Sequence, residues 1–417
     1  NRNRIIAMTT SLTSHSLAAL LGAGLAVSML AQLSARADDW PQWRGVHRDG
    51  ISKETGWVAQ WPAGGPKKLW ESAVGVGYSS CAVSQGRVYT MGNVEEKDVV
   101  SCFDAETGKL VWKFEYDCTA KDPNGYKGTR GTPTIDGDRV YTLSRQGHFF
   151  CLDAKTGKAL WSKDFVKDFG GKVQQWGFAG SALIEKDWVL TETSAEGASV
   201  VAFDKKTGEV VWKNGDDMAG YSSLIAFDLG GERCFAQFSK DQIIARRMKD
   251  GSELWRKEWK TSYGVNSATP IIVGDEMFVA SGYNYGCARL KMSPTAVTEV
   301  WRNKNMRNHV NSCVLINGYL YGYDDTQLKC LDWKDGTVKW ATGDYGKGAL
   351  NFADGKLILF GDKGKLGVAE CSPEAFKQIS SFQALTGKDT WASPVLANGR
   401  IYVRNLDHVA AFDVKAR

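Results

Sequence analysis

A short segment that ends in tryptophan recurs along the chain at nearly even spacing. It is clearest in "CFDAETGKLVW", "CLDAKTGKALW" and "AFDKKTGEVVW", and weaker copies follow. The anchor tryptophans, 42, 49, 51, 43, 46 and 39 residues apart, are Trp70, Trp112, Trp161, Trp212, Trp255, Trp301 and Trp340. A period of this length predicts a repeat architecture, in which each unit covers the apolar face of its neighbour.

Each repeat contains the pattern of four short strands. An apolar run, a turn with glycine and an alternating run precede each tryptophan segment, as in "PTIDGDRVYTLS" and "PVLANGRIYVRN". The Asp-Gly and Asn-Gly pairs supply the positive φ of tight hairpin turns, and the alternation is that of a strand. Four antiparallel strands per period of about 40–45 residues predict a β-propeller blade. The tryptophans are then expected to fill the wedges between blades.

The two ends of the chain supply complementary parts of one blade. The last copy stops at "AFDV" after three strands, whereas "GPKKLW" (Gly65–Trp70) is a fourth strand with no first three before it. Joining them leaves no free sheet edge. We predict an all-β fold: an eight-bladed β-propeller of four-stranded antiparallel blades, closed by the N-terminal strand that completes the last blade. The seventh copy, "VAECSPEAFKQIS", lacks the tryptophan.

The N-terminal residues resemble a targeting signal. The apolar run "SLAALLGAGLAVSMLAQL" is followed by "ARA", which places small residues at the −3 and −1 positions of a cleavage site. We predict a signal peptide at 1–37 cleaved after Ala37, an N-terminal extension at 38–64 and a single propeller at 65–417. An uncleaved anchor is the alternative. We expect a periplasmic or secreted protein. No lipid anchor is expected, since no Cys comes directly after the apolar run, and no later stretch reaches the roughly 18 apolar residues of a membrane span.

Charge and cysteine content exclude several function classes. The formal net charge of +5 is small for 417 residues, and no Lys/Arg cluster forms a polybasic arm, so nucleic acid is not an expected partner. The nine Cys include no C-x₂-C pair, so no metal site is predicted. Ala202 stands where other repeats have Cys102 and Cys151, which favours buried free thiols. One disulfide stays open as an alternative, and a monomer is expected.

The repeat motif resembles the pyrroloquinoline quinone (PQQ) propeller repeat, from about Gly65 to Val414. Quinoprotein alcohol dehydrogenases of this superfamily are eight-bladed periplasmic enzymes that use PQQ and Ca²⁺. The B-subunit lipoprotein of the outer-membrane β-barrel assembly machinery is a similar ring without a cofactor. The N-terminal "DDWPQWRGVHRDGISKETG" is similar to PQQ-like propeller proteins of planctomycete-type bacteria. This chain lacks the adjacent cysteines and the long insertions of the dehydrogenases.

Aligning the repeats identifies the residues just before each innermost strand, which in a propeller surround the mouth of the central channel. These residues combine aromatic rings with basic and amide groups. The candidate site residues are Tyr78, Arg130, Trp176, Tyr221, Asn266, His309, Asn311, Lys347 and Trp391. Aromatic faces with charge-assisted hydrogen bonds from Arg130 and Lys347 suit a planar anion such as PQQ, an acidic sugar or a peptide loop. The alternative is that they are ordinary polar loop residues around a water-filled channel.

These observations predict an exported binding or scaffold propeller of the cell envelope, without catalytic activity. Its expected partner is an envelope protein or a small anionic ligand at the channel mouth. One alternative is a PQQ- and Ca²⁺-dependent dehydrogenase of alcohols or sugars, and a second is a carbohydrate-binding propeller. No cofactor is required by the sequence, PQQ with Ca²⁺ being the pair that the resemblance implies. Catalytic residues are not assigned, because His309 has no partners at the spacing of a triad.

Overall fold

The computed structural model describes residues 38–122 and 124–416, so the predicted signal peptide lies outside the described residues. These residues form eight sheets, seven of four strands and one of five. The all-β, eight-bladed propeller predicted from the repeats is therefore confirmed. No helix in the described part of the chain is long and apolar enough to cross a membrane.

The strands follow the chain in blade order, each blade running from the channel outward. Two strands precede the first complete blade: β1 (Ile51–Ser52) and β2 (Lys68–Ala73). Blades 1 and 2 contain β3 (Ala82–Ser84), β4 (Arg87–Val94), β5 (Lys97–Asp104), β6 (Leu110–Asp117), β7 (Thr134–Asp136), β8 (Arg139–Leu143), β9 (His148–Asp153) and β10 (Ala159–Asp164). A short helix follows, α1 (Phe165–Phe169). Blades 3 and 4 contain β11 (Leu183–Glu185), β12 (Trp188–Glu192), β13 (Val200–Asp204), β14 (Val210–Asn214), β15 (Ile225–Leu229), β16 (Glu232–Phe238), β17 (Gln242–Arg247) and β18 (Glu253–Glu258).

The second half of the ring repeats this arrangement. A 3-10 turn at Ser262–Gly264 leads into it. Blades 5 and 6 contain β19 (Ile271–Val273), β20 (Glu276–Ser281), β21 (Gly286–Ser293), β22 (Ala296–Asn303), β23 (Val314–Ile316), β24 (Tyr319–Asp324), β25 (Gln327–Asp332) and β26 (Val338–Thr342). Blades 7 and 8 contain β27 (Ala349–Ala353), β28 (Lys356–Phe360), β29 (Lys365–Glu370), β30 (Gln378–Gln383), β31 (Val395–Ala397), β32 (Arg400–Arg404) and β33 (His408–Asp413).

The ring is closed by the two ends of the described chain. Strand β2 pairs antiparallel with β33, with Trp70 opposite Ala411, so the N-terminal strand completes the last blade as predicted. A second N-terminal strand was not predicted: β1 pairs parallel with β27 on the channel side of blade 7. With two residues it is too short for any periodicity to show.

The repeated Thr-Gly turn and the repeated tryptophan form one contact between neighbouring blades. The Trp112 indole of blade 1 donates to the Ala154 carbonyl of blade 2 at 3.0 Å. Gly157 in the same turn has φ +73°, and a Cβ there would lie 2.5 Å from the Trp112 ring. Asp153 holds the turn by accepting from the Thr156 backbone and hydroxyl. Glycine is therefore required both for the left-handed conformation and for the close approach of the ring.

The wedge between blades 7 and 8 has no tryptophan from its own repeat, and the N-terminal segment fills it. Trp57 and Trp61 are buried there in one cluster with apolar residues of both blades. Trp61 meets Phe382 of blade 7 edge to face, 5.7 Å between ring centroids. The backbone N–H of Val58 donates to the Val414 carbonyl at 2.8 Å. The tryptophan missing from the seventh copy is thus replaced by residues outside the repeat.

A ring of hydroxyl groups joins the blades close to the channel. Seven blades have Ser or Thr two residues before the innermost strand: Ser80, Thr132, Ser181, Ser223, Thr269, Ser312 and Ser393. The backbone N–H of Ser80 donates to the Thr132 hydroxyl, and that of Thr132 to the Ser181 hydroxyl, each at 3.0 Å. The N–H of Ser181 continues to Ser223 at 2.9 Å. These bonds fix the inner radius on which the site is built.

The N-terminal segment also crosses the central channel; residues 40–54 are called the plug below. Trp40 forms a β-bridge with Val83 of blade 1, and the Pro41 carbonyl accepts from Ile135 of blade 2 at 2.8 Å. At the other end of the plug, the Glu54 carboxylate accepts from the Gly399 N–H of blade 8 at 3.0 Å. The plug thereby contacts blades from both ends of the repeat series.

Two buried arginines hold the centre of the plug. Arg48 donates to the carbonyls of Ser181 at 3.2 Å and Leu224 at 3.0 Å, and also to that of Ala182. Arg44 donates to the Cys313 carbonyl of blade 6 at 2.7 Å. Burial lowers the pKa of Arg48 to about 9 and that of Arg44 to about 10. The two guanidinium groups donate to backbone carbonyls near the innermost strands. These hydrogen bonds offset the cost of burying the charges.

All nine cysteines lie within the described residues and all are free thiols, eight of them buried and Cys371 partly exposed. Burial raises the pKa of Cys81, Cys102 and Cys151 to about 12. A raised pKa leaves almost no thiolate at neutral pH, so these side chains behave as small apolar groups. The predicted buried thiols agree with this structure.

Candidate binding site at the channel mouth

Above the plug, the channel opens into a cavity of about 190 Å³ at the end where the loops before the innermost strands lie. Eight of the nine candidate residues from the repeat alignment line it: Tyr78, Arg130, Trp176, Tyr221, His309, Asn311, Lys347 and Trp391. The repeats set equivalent positions at equal radius, which is why residues more than 300 positions apart meet. Whether they bind a ligand stays a prediction.

Asn266, the ninth candidate, has a structural contact instead. It is fully buried, and its amide donates to the carbonyls of Ser239 at 2.9 Å and Lys240 at 3.0 Å. Its side-chain oxygen accepts from the Ser281 hydroxyl at 2.8 Å. The neighbouring Val265 and Ser267 line the cavity in its place. An asparagine with all these partners fixes a loop and does not face a ligand.

Aromatic rings form two groups around the mouth. On one side, Tyr78 and Trp391 stack with centroids 5.2 Å apart and 20° between planes, and Tyr126 packs on Trp391 at 5.6 Å. On the other side, Trp176 meets Tyr221 edge to face at 5.8 Å. Stacked and edge-to-face pairs are favourable beyond the area that they bury, so these rings are held in place before any ligand arrives.

Three aromatic residues of the cavity were missed from sequence: Trp43, Tyr126 and Tyr283. Trp43 belongs to the plug, and its indole donates to the Thr269 hydroxyl at 3.0 Å. No repeat position corresponds to it, so alignment could not find it. Tyr126 is four residues before Arg130, and Tyr283 belongs to the "GYNYG" loop. A search for aromatic residues in the loops next to each aligned position would have found these two.

Arg130 belongs to a charge cluster in which two guanidinium groups share one carboxylate. It pairs with Asp122 at 3.1 Å, and Arg145 pairs with the same Asp122 oxygen at 3.0 Å. Burial, followed by the neighbouring Arg145, lowers the pKa of Arg130 to about 10. Arg130 therefore stays charged at neutral pH, and the cluster has one positive charge in excess.

Lys347 and His309 form the second polar group. The Lys347 ammonium lies 2.8 Å from His309 Nδ1 and 2.9 Å from an Asp325 oxygen. Burial, followed by the Lys347 charge, lowers the pKa of His309 to about 4. His309 is consequently neutral at pH 7, and the hydrogen bond accepted by Nδ1 assigns its proton to Nε2.

The polar groups of the cavity wall are mainly hydrogen-bond donors. The residues that line it include no Asp or Glu, and burial raises the pKa of Tyr78 and Tyr221 to about 12, which keeps both phenols protonated. Within residues 38–122 and 124–416, no three His, Cys, Asp or Glu side chains are grouped as a metal site. Calcium takes six to eight oxygen ligands, among which Asp and Glu carboxylates supply the negative charge. The donor set therefore does not fit a Ca²⁺-bound quinone.

Comparison with known proteins identifies a family and a relative that cover most of the ring. The family model described as "Outer membrane protein assembly factor BamB" matches residues 54–124 and 96–342. BamB of Shewanella oneidensis is 22% identical over 347 residues, which cover 78% of this chain and 80% of that protein.

Two solved structures share the fold. BamB from Moraxella catarrhalis has a TM-score of 0.60 at 17% identity, covering 84% of this chain and 98% of that one. Quinohemoprotein alcohol dehydrogenase ADHIIG from Pseudomonas putida HK5 has a TM-score of 0.62 at 12% identity, covering 91% and 81%. An assembly factor and an enzyme are thus equally similar in shape, so the fold alone does not select a function.

Proposed function

Because this chain belongs to the family described as outer membrane protein assembly factor BamB, we propose that it is a non-catalytic binding or scaffold propeller of the cell envelope that serves outer membrane protein assembly. The observation that carries the proposal is the family match, which spans blades 1 to 6. The predicted signal at 1–37 supports export to the compartment in which such a protein would act.

The construction of the ring supports a scaffold role. The plug occupies the channel, and the wedge between blades 7 and 8 is filled by Trp57 and Trp61. The eight sheets form a closed ring, in which β2 and β33 join the two ends of the chain. The loops and outer strands are therefore held on a rigid frame. A partner that binds such preorganised surfaces does not have to order them, which lowers the entropic cost of association.

The proposal is tested by complementation. The full chain is expressed in a Gram-negative strain that lacks its own member of this family, and outer membrane β-barrel proteins are quantified in isolated outer membranes. We expect their amounts to rise toward those of the parent strain. The matched control is the same chain without residues 1–37, which contains every blade but lacks the predicted signal and should restore nothing.

Two results would contradict the proposal. One is full expression and export of the chain with no rise in outer membrane β-barrel proteins. The other is reduction of an artificial dye by the purified protein with alcohols or sugars after addition of PQQ and Ca²⁺. The second result would establish the dehydrogenase, which the carboxylate-free cavity does not favour.

A further inference from the structure

The mouth cavity is blind, which distinguishes it from an open channel. Trp43 of the plug is part of its lining, and the hydrogen bond to Thr269 fixes the indole in blade 5. Below it, Arg48 is tied to the carbonyls of Ser181 and Leu224. A ligand can therefore enter only from the mouth and must end at this floor.

The size of the cavity suits a single ring. Its volume is about 190 Å³. An engineered cavity of about 150 Å³ holds one benzene, and pockets for drug-sized ligands measure about 300–1,000 Å³. A ligand with three fused rings exceeds this space. One six-membered ring fits, and the open mouth would let a longer chain continue into solvent.

Three hydroxyl groups in the wall have donors without partners. Thr132, Ser181 and Ser223 line the cavity and are each more than nine-tenths buried. Each hydroxyl oxygen accepts a backbone N–H from the preceding blade. Among the described residues none of the three hydroxyl protons has an acceptor. Buried donors without partners are costly, so a ligand with several oxygen acceptors is favoured over a purely aromatic one.

Charge determines the remaining feature of the ligand. Arg130 and Lys347 line the cavity, with no Asp or Glu among the lining residues. Asp122 and Asp325 pair with these cations but do not line the cavity themselves. The Lys347 ammonium has two partners for three donors, which leaves one donor for a carboxylate. The aromatic rings would cover the C–H faces of a sugar ring.

We propose that the mouth cavity binds one acidic sugar residue, a six-membered ring with a carboxylate such as a hexuronic acid, stacked on the aromatic wall and held through its carboxylate by Lys347 and Arg130. This goes beyond the scaffold role and does not depend on it. The ligand could be free or the end of a glycan, since both present the same ring to the mouth.

The test uses the mature protein and three probes in isothermal titration: glucuronate, glucose as the neutral ring, and benzoate as the aromatic acid. We expect glucuronate to bind with a Kd of about 1 mM or tighter, and glucose and benzoate to bind at least about tenfold more weakly. Lys347→Met should reduce glucuronate affinity about tenfold. The matched control is Lys213→Met, an exposed lysine on the outer strand of blade 3, which should change nothing.

A second variant tests the aromatic wall independently of Lys347. Trp391→Leu removes one stacking face and should weaken glucuronate and glucose alike. The proposal is overturned if glucose binds as well as glucuronate, if benzoate binds more tightly than glucuronate, or if no probe saturates. Titration reads sugar binding and complementation with the parent chain reads the scaffold role, so failure of the one is distinguishable from failure of the other.

Discussion

The two ends of the central channel contain similar residues in opposite states. At the closed end, the plug places buried arginines against backbone carbonyls, so Arg48 has a protein partner for each of its donor groups. At the open end, Arg130 shares the Asp122 carboxylate with Arg145, and the Lys347 ammonium has two partners for its three donors. Three hydroxyl protons of the cavity wall have no acceptor among the described residues. Buried polar groups are nearly always paired in folded proteins. The closed end is therefore structural, and the open end is the part of the channel that is prepared for a ligand.

The largest expected difference in stability is between two variants, each of which replaces one arginine at one end of the channel. Arg48→Met leaves the carbonyls of Ser181 and Leu224 without donors, whereas the Ala182 carbonyl keeps the Thr134 hydroxyl. We predict a loss of on the order of 4 kcal/mol of unfolding free energy. Arg130→Met removes the donor to the carbonyls of Tyr126 and Gly128. We still expect a smaller loss, about 2 kcal/mol, because Tyr126 is exposed to solvent and Arg145 still pairs with Asp122. Urea unfolding of both variants measures the two values. Equal losses would remove the distinction between the ends.

Replacing a tryptophan of the N-terminal segment should destabilise the protein more than replacing a tryptophan of the mouth. Trp57 is buried in the wedge between blades 7 and 8, which the seventh repeat leaves without a tryptophan. Trp57→Ala is therefore predicted to cost about 3 kcal/mol of unfolding free energy. Trp391 lies in the partly open mouth, and Trp391→Ala should cost about 1 kcal/mol or less. Thermal unfolding followed by circular dichroism compares them. A greater loss at Trp391 would mean that the mouth, not the wedge, holds the ring together.

A smaller effect depends on pH. Glu192 is buried beside Gln237, whose amide donates to it at 3.0 Å, and burial raises its pKa to about 8. A raised pKa means that the folded state holds the proton more tightly, so this contribution is complete below pH 4.5 and is lost as pH rises to about 8. Glu192→Gln should therefore exceed the parent in stability at pH 9, by on the order of 2 kcal/mol.

The matched measurement for Glu192 is made at low pH. At pH 4.5 the parent carboxyl is protonated in the folded state and accepts the same hydrogen bond that glutamine would accept, so the two proteins should unfold at nearly the same urea concentration. A difference that stays constant from pH 4.5 to pH 9 would show that the carboxyl does not titrate with folding. Since Glu192 belongs to blade 3 and not to the plug, this pH dependence should persist in Arg48→Met.

Repetition explains what could be predicted from the sequence. Blade number, the closing strand and eight positions of the mouth all follow from aligning successive copies, because each position of the repeat occurs several times along one chain. The role of Asn266 was not predictable in this way, because the repeat gives a radius but not the direction of a side chain. In the structure its amide turns to the Ser239 and Lys240 carbonyls.

The non-repeating segment explains what the sequence did not reveal. Residues 38–64 were predicted only as an extension, yet they fill both the channel and the last wedge. Arg44 and Arg48 have φ values of +62° and +56°, a conformation that their residue type does not indicate. Their contacts lie up to 269 positions away, and no local pattern encodes them. The sequence signal that bears on this wedge is the loss of the seventh tryptophan, and it does not show which segment fills the space.

The plug itself provides the most direct test. Amide hydrogen exchange of the chain from Asp38 onward, read by mass spectrometry, compares residues 40–52 with the mouth loop at 119–122 and 124–128. We predict that the plug exchanges as slowly as the innermost strands. The Trp40 N–H donates to the Val83 carbonyl of blade 1, the Gly50 N–H to the Arg44 carbonyl within the plug, and the N–H of the facing Phe352 to the Gly50 carbonyl. The mouth loop should exchange much faster. Exchange of residues 40–52 at the rate of that loop would show that the channel is open at both ends and would contradict a blind, ligand-binding mouth.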